Sequence, residues 1–420
     1  MLKKVGWVVA VATAVLAVGG VSTFAVVQNQ AGGKLTYGAA STIAAPTRSI
    51  VPAQGPATDV SELKARLDKL AADPRLGKLT AQVSDAESGQ VVWERQATQP
   101  SQPASTTKIL TAAAALHTLS ADDRITTEVV QAEPGTVVIK AAGDVWLTNE
   151  QLDRLAQQIG QAQRVQIDTS LWSQDAFLKS WGAENIDAGY IAPLEPAMLY
   201  CGRIGAKTGD VPRSHDPAAD VVKALAQRLG AESGGEATAP AGAQVVGKVQ
   251  SPPLSERLTK MMEDSDNVMA EAIGREVALK RGTGNDVAAA IQATQDSLRE
   301  QGFDLTGLEL KDNSGLSETN INTARLLNSI LVKATQDPKL RPLLATLPVA
   351  GGNGTLANRF GDSAARGWVR AKTGTLTGTS ALAGYVVSDS GHVYTFALLS
   401  NDSEITPARA ALDEFASGLR

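Results

Sequence analysis

Leucines 63, 67 and 70, with charges between them, repeat at helical spacing over Val60–Leu70 and predict an amphipathic surface helix. Leu79–Ser84 and Val91–Gln96 are short apolar runs joined by Asp85-Ala86-Glu87-Ser88-Gly89-Gln90, the pattern of a hairpin. Ile109–Leu116 (ILTAAAAL) is uncharged on every side, which predicts a helix enclosed by the fold rather than lying on its surface. From Ala142 to Val246 the texture changes. Short pieces such as Val145-Trp146-Leu147 and Val165-Gln166-Ile167 alternate with Gly-, Asp- and Ala-rich connections, and Gly230–Gly242 reads as an exposed loop. Helical spacing returns at Leu254, Leu258, Met261 and Met262, after the helix start Ser251-Pro252-Pro253. Ala381–Val387 and Val393–Leu399 form a second hairpin, followed by a helix over Pro407–Leu419. Helices between two hairpins predict an α+β fold whose hairpins share one antiparallel sheet. Residues 59–141 and 247–420 are then one domain, interrupted by an inserted subdomain at 142–246.

The ends and the composition narrow the setting. Lys3 and Lys4 precede an uncharged run, Val5–Val27, longer than the roughly 20 residues that span a bilayer. Residues 1–27 therefore read as a signal peptide or, if uncleaved, a membrane anchor with a cytoplasmic N-terminus. Both readings put the remainder outside the cytoplasm, tethered by a flexible Gly/Ala/Ser/Thr/Pro linker over residues 28–58. A net charge of −5 argues against a nucleic-acid partner. One cysteine, Cys201, excludes an internal disulfide and reads as buried structure. Three scattered histidines give no metal-ligand spacing, so no metal is expected.

Three short motifs carry chemistry. Ser-x-x-Lys occurs as Ser61/Lys64 and as Ser105/Lys108, a spacing that puts both side chains on one helix face. A lysine that takes a proton from serine must first be neutral, which requires burial or a nearby cation. Ser61/Lys64 lies on a charged, solvated face, whereas Lys108 opens the uncharged helix and Ser105 sits at its N-terminus. Ser265-Asp266-Asn267 is the single Ser-x-Asn. Ser265 could relay a proton to a leaving amine and Asn267 could hold a substrate carbonyl, though standing alone the triplet reads first as a helix cap. Lys-Thr-Gly occurs twice. Lys207-Thr208-Gly209 runs into Asp210-Val211-Pro212, which spoils a pairing edge. Lys372-Thr373-Gly374-Thr375 runs toward an apolar strand, where Gly374 allows close approach and the Thr373 and Thr375 hydroxyls can bind a carboxylate. Lys372 adds charge to attract that carboxylate and to depress the pKa of Lys108.

In that order the motifs resemble the penicillin-binding, active-site-serine D-alanyl-D-alanine carboxypeptidase/endopeptidase family, specifically the group with an insertion between the first two motifs. The resemblance is carried by Pro103–Leu116, Ser251–Glu271, Asp312–Ser317, Leu347-Pro348, Gly354-Thr355-Leu356 and Ala371–Val386, and spans Leu79–Leu399. It implies a β-lactamase/transpeptidase-like domain acting on peptidoglycan peptides that end in D-Ala-D-Ala, with β-lactams as covalent inhibitors. It further implies an acyl-enzyme on Ser105, with Lys108 as base, Ser265, Asn267 and Lys372 as catalytic partners, and Lys372, Thr373, Gly374 and Thr375 as substrate-binding residues. The backbone N–H groups of Ser105 and Thr375 would hold the oxyanion, and the mechanism implied needs no cofactor. Two readings compete: a serine β-lactamase, and a non-hydrolytic cell-wall binding protein on the same fold.

Overall fold

The computed structural model describes residues 60–420; the N-terminal segment and linker read from the sequence lie outside the described residues. In chain order the strands are β1 (Lys78–Asp85), β2 (Val91–Arg95), β3 (Thr126–Glu133), β4 (Thr136–Lys140), β5 (Asp144–Leu147) and β6 (Arg164–Asp168). They continue with β7 (Ala197–Leu199), β8 (Glu232–Glu236), β9 (Val245–Gln250), β10 (Val369–Leu376), β11 (Thr379–Val387) and β12 (Val393–Asn401). The two predicted hairpins do share one antiparallel sheet, in the order β10-β11-β12-β1-β2. What joins them is the pairing of the first strand with the last, Val83 opposite Phe396.

Period-two alternation gives this sheet two apolar faces. Phe396 and Leu398 of β12 face the terminal helices Val60–Ala71 and Ile405–Ser417, packing with Leu63, Leu67 and Phe415. Ala397 and Leu399, with Ala381 and Ala383 of β11, face the opposite way, toward Ile109, Leu110 and Ala113. Alanines on that face let the helix Lys108–Thr118 approach closely. Its residues from Lys108 to Leu116 are all buried, as the uncharged run predicts. Around it pack Leu254–Glu263, Asn267–Arg281, Val287–Glu300 and Ala324–Gln336.

A second five-stranded sheet, β8-β6-β4-β3-β9, is covered by helices Asn149–Ile159 and Pro217–Leu229 through Leu152, Leu155, Val221 and Leu225. β3 and β4 belong to it, with Thr126 opposite Gln250, so the texture change at Ala142 falls inside this second layer and not at its edge. The reason is that β3 and β4 carry apolar runs as dense as those of the first sheet, while the Gly- and Asp-rich connections start only after them. The tract Gly230–Gly242, read as a loop, contains β8. β8 pairs in parallel with β6 at the sheet edge and keeps mostly exposed side chains, so its backbone bonds hold it in place without an apolar signature.

β10 lies at the outer edge of the first sheet, where Lys372-Thr373-Gly374 pairs with Ala383-Leu382-Ala381 on one side only. Gly384, opposite Ala371, is required there, because a Cβ would sit 2.0 Å from the Arg370 carbonyl oxygen.

Candidate active site

Ser105 sits in a tight turn, Ala104–Thr107, that runs directly into the buried helix. Thr106 and Thr107 hold the turn by donating their hydroxyls to the Pro103 and Ala104 carbonyls at 2.6 and 2.9 Å. Two glycines wedge it. A Cβ at Gly315, whose φ is +82°, would lie 2.0 Å from the Ala104 oxygen, and one at Gly374 would lie 2.7 Å from the Pro103 oxygen. Ala104 and Ser265 both have left-handed backbones, φ 46° and 54°. Such conformations cost about 1–3 kcal/mol each and persist where the surroundings enforce them.

One turn on from Ser105, the Lys108 amine is fully enclosed. Its Nζ lies 3.2 Å from Ser105 Oγ, 2.6 Å from Asn267 Oδ1 and 2.7 Å from the Ser314 carbonyl oxygen. Burial lowers its pKa to about 8, against the opposing pull of Asp312, Asp266 and Glu271. A neutral amine has two hydrogens and one lone pair. With Asn267 and Ser314 taking the hydrogens, the lone pair is left for the serine hydroxyl. Across the cleft, Lys372 Nζ donates to Ser265 Oγ at 2.9 Å and to the Thr373 carbonyl at 2.8 Å. Burial, reinforced by Lys108, pushes the Lys372 amine well below its ordinary range. Against the electrostatics read from the sequence, burial leads the depression of Lys108.

The Ser265-Asp266-Asn267 triplet satisfies both of its sequence readings. Asp266 caps the helix Asn267–Arg281 by accepting from the Met269 N–H at 2.9 Å, which turns Ser265 and Asn267 toward the cleft on either side. The cap is itself clamped from the segment that follows β7: Arg203 and Arg213 reach Asp266 Oδ2 at 2.7 and 3.2 Å, all three side chains being buried. Asn267 Nδ2 donates to the Tyr190 carbonyl at 2.8 Å, a tie to the segment that precedes β7.

Ser105, Ser265, Asn267, Thr373 and Thr375 line one open cleft of about 1240 Å³, and the hydrogen bonds above place Lys108 and Lys372 against it. The rejected motif copies lie elsewhere. Ser61 and Lys64 are exposed on the first helix. Lys207 is exposed and paired with Glu150 at 2.8 Å, in the loop between the two clamping arginines, where Arg203 Nε donates to the Gly209 carbonyl. Lys207→Ala is expected to keep hydrolysis within about two-fold of the parent, since exposed ion pairs contribute about 0–1 kcal/mol; steady-state kinetics on a D-Ala-D-Ala peptide checks this. Cys201 is buried, and burial raises its thiol pKa, as a structural cysteine requires.

Sequence reasoning did not find Arg203, Arg213 or Glu271. Glu271 is buried four residues beyond Asn267 and accepts from the Asn313 N–H at 3.0 Å, holding the loop whose Ser314 carbonyl receives Lys108. Its position one turn along the capped helix was the available signal. The arginines carried none, because nothing local pairs them with the motifs.

A serine one turn from a buried lysine, faced by a second serine–lysine pair at a sheet edge, is an arrangement able to carry acyl transfer through a serine ester. The model of the D-Ala-D-Ala carboxypeptidase 3 (S13) family matches residues 63–212 and 205–419, and the chain belongs to that family. It is 44% identical over 376 residues to carboxypeptidase DacB of Mycolicibacterium smegmatis, covering 83% of this chain and 82% of that one. It is 43% identical over 382 residues to carboxypeptidase Rv3627c of Mycobacterium tuberculosis, covering 84% and 83%. Its fold matches penicillin binding protein 4 from Haemophilus influenzae with a TM-score of 0.65 at 22% identity, over 86% of this chain and 98% of that one.

Proposed function

We propose that this protein is a serine-type D-Ala-D-Ala carboxypeptidase of the cell envelope, acting on peptidoglycan stem peptides through an acyl-enzyme on Ser105. The observation that carries the reading is the environment of Lys108, whose two hydrogen-bond acceptors leave its lone pair to Ser105. In acylation, Ser105 Oγ gives its proton to Lys108 Nζ and attacks the carbonyl before the terminal D-alanine. The tetrahedral oxyanion accepts from the N–H groups of Ser105 and Thr375, each such donor being worth about 3–4 kcal/mol in comparable hydrolases. As the C–N bond breaks, Ser265 passes its proton to the departing amine and takes up the proton that Lys108 received from Ser105, which leaves Lys108 neutral again. Water then attacks the ester, giving a proton to Lys108, which returns it to Ser105 Oγ as the ester C–O bond breaks, and the shortened peptide leaves. Penicillins acylate Ser105 by the same first step. The same groups cleave a crosslink wherever the leaving amine belongs to a D-centre with a free carboxylate.

The inserted unit supports this reading as a positioning element, and we place its limits at the sheet running from Thr126 to Gln250. An N-terminal membrane anchor belongs to the same proposal; among the described residues no helix is long and apolar enough to cross a membrane. The deciding assay is free D-alanine released from a peptide ending in D-Ala-D-Ala, with none released excluding the proposal. A long-lived adduct with benzylpenicillin supports the peptidase over a β-lactamase, which would turn the drug over.

The pH profile follows from the site. Below about 8, Lys108 holds a proton and cannot accept one, so kcat/KM is expected to rise with pH through about 8. Glu271, whose own carboxyl is pushed up to about 8 by burial and by Asp312, favours the Lys108 ammonium when ionised. Glu271→Gln is therefore expected to move that limb to lower pH without removing it. A limb that disappears in this variant assigns the titration to the carboxyl instead.

A further inference from the structure

A substrate that ends in a carboxylate calls for a fixed positive charge beside the hydroxyls of β10. Most cations around the cleft are already committed. Arg213 pairs with Asp266. Arg359 donates to both oxygens of Asp413, at 3.1 and 2.6 Å. Lys372 is enclosed, with its amine held by Ser265 and the Thr373 carbonyl.

Arg409 differs from these. It stands in the first turns of the helix Ile405–Ser417, is exposed to the cleft, and donates Nη2 to Thr375 Oγ1 at 2.8 Å. Among the described residues no carboxylate pairs with it, because Asp413, one turn further along the helix, is occupied by Arg359. A guanidinium keeps its charge at any pH the protein meets and offers five N–H groups, of which the threonine takes one. Thr375 thereby aims the remaining fork over the face of β10 that Thr373 and Thr375 share by period-two alternation, and Thr373 donates its hydroxyl to Thr355 at 2.8 Å on the same side.

We propose that Arg409 is the carboxylate-binding cation of this cleft, pairing with the terminal carboxylate of the D-amino acid that departs. The inference rests on the peptidase reading above and adds to it: the attraction comes from the C-terminal helix, not from the Lys-Thr-Gly lysine.

The test compares a D-Ala-D-Ala peptide as the free acid with the same peptide as its C-terminal amide. Arg409→Gln is expected to lower kcat/KM on the acid about 10- to 100-fold, the loss of one charge-assisted contact, while barely changing the amide. Arg409→Lys should fall between. If the amide turns over too slowly to follow, rates of covalent labelling by benzylpenicillin and by its methyl ester give the same comparison. An equal loss on both members of a pair would mean that Arg409 merely braces Thr375, and no loss on either would mean that it does nothing here; each result overturns the proposal. Failure of the parent enzyme to release D-alanine from the acid is a separate outcome, which defeats the peptidase reading itself.

Discussion

Ser105→Ala is expected to end covalent labelling by benzylpenicillin and to lower D-alanine release by about 10⁶-fold, the order seen when a serine hydrolase loses its nucleophile. No substitute is at hand within the site. Ser265, which also lines the cleft, is hydrogen-bonded to Lys372 and has no counterpart to the Lys108 lone pair. The variant should fold normally, because Ser105 is only partly buried and its turn is held by the Thr106 and Thr107 hydroxyls and by Gly315. Residual labelling, read by mass spectrometry of the intact protein, would move the nucleophile elsewhere.

The second large effect falls on stability. Asp266→Asn is expected to cost about 3–5 kcal/mol, the usual result of removing one partner from a buried ion pair. Asparagine keeps an oxygen for the Met269 N–H, so the helix cap survives. What goes is the charge, leaving the Arg203 and Arg213 guanidiniums, at 4% and 1% side-chain exposure, without a counter-ion. Burial alone would raise the Asp266 pKa, but the two arginines more than offset this and hold it well below the ordinary carboxylate value. Its contribution is thus present above the unfolded-state value near 3.9 and is lost as pH falls through the lower folded-state value. Urea unfolding at pH 7 checks the magnitude. Activity should fall as well, since Ser265 and Asn267 flank the altered residue; a variant equal to the parent in both respects would show that the clamp is dispensable.

The legibility of this protein divides along physical lines. The hairpins, the enclosed helix at Ile109–Leu116 and the terminal helices were readable because burial imposes a period, or an absence of charge, over many consecutive positions. The choice between twin motifs was readable for the same reason: Ser61/Lys64 sits among charges, and Lys207-Thr208-Gly209 runs into an aspartate and a proline. β8 escaped because an exposed edge strand is held by backbone bonds and leaves little trace in side-chain pattern. The start of the second sheet at Thr126 escaped because apolar strands look alike whichever sheet they join.

The order and chemistry of Ser105, Lys108, Ser265, Asn267 and Lys372 are local properties, written in residue type and spacing, and the amino-acid chain alone determines them. Which charges survive inside the cleft is not local. It depends on burial at Lys108 and Lys372, on two arginines brought from the segment after β7 to Asp266, and on Arg409 arriving from the last helix to meet Thr375. Desolvation and long-range pairing exist only once distant segments are packed together, so tertiary structure alone could decide them.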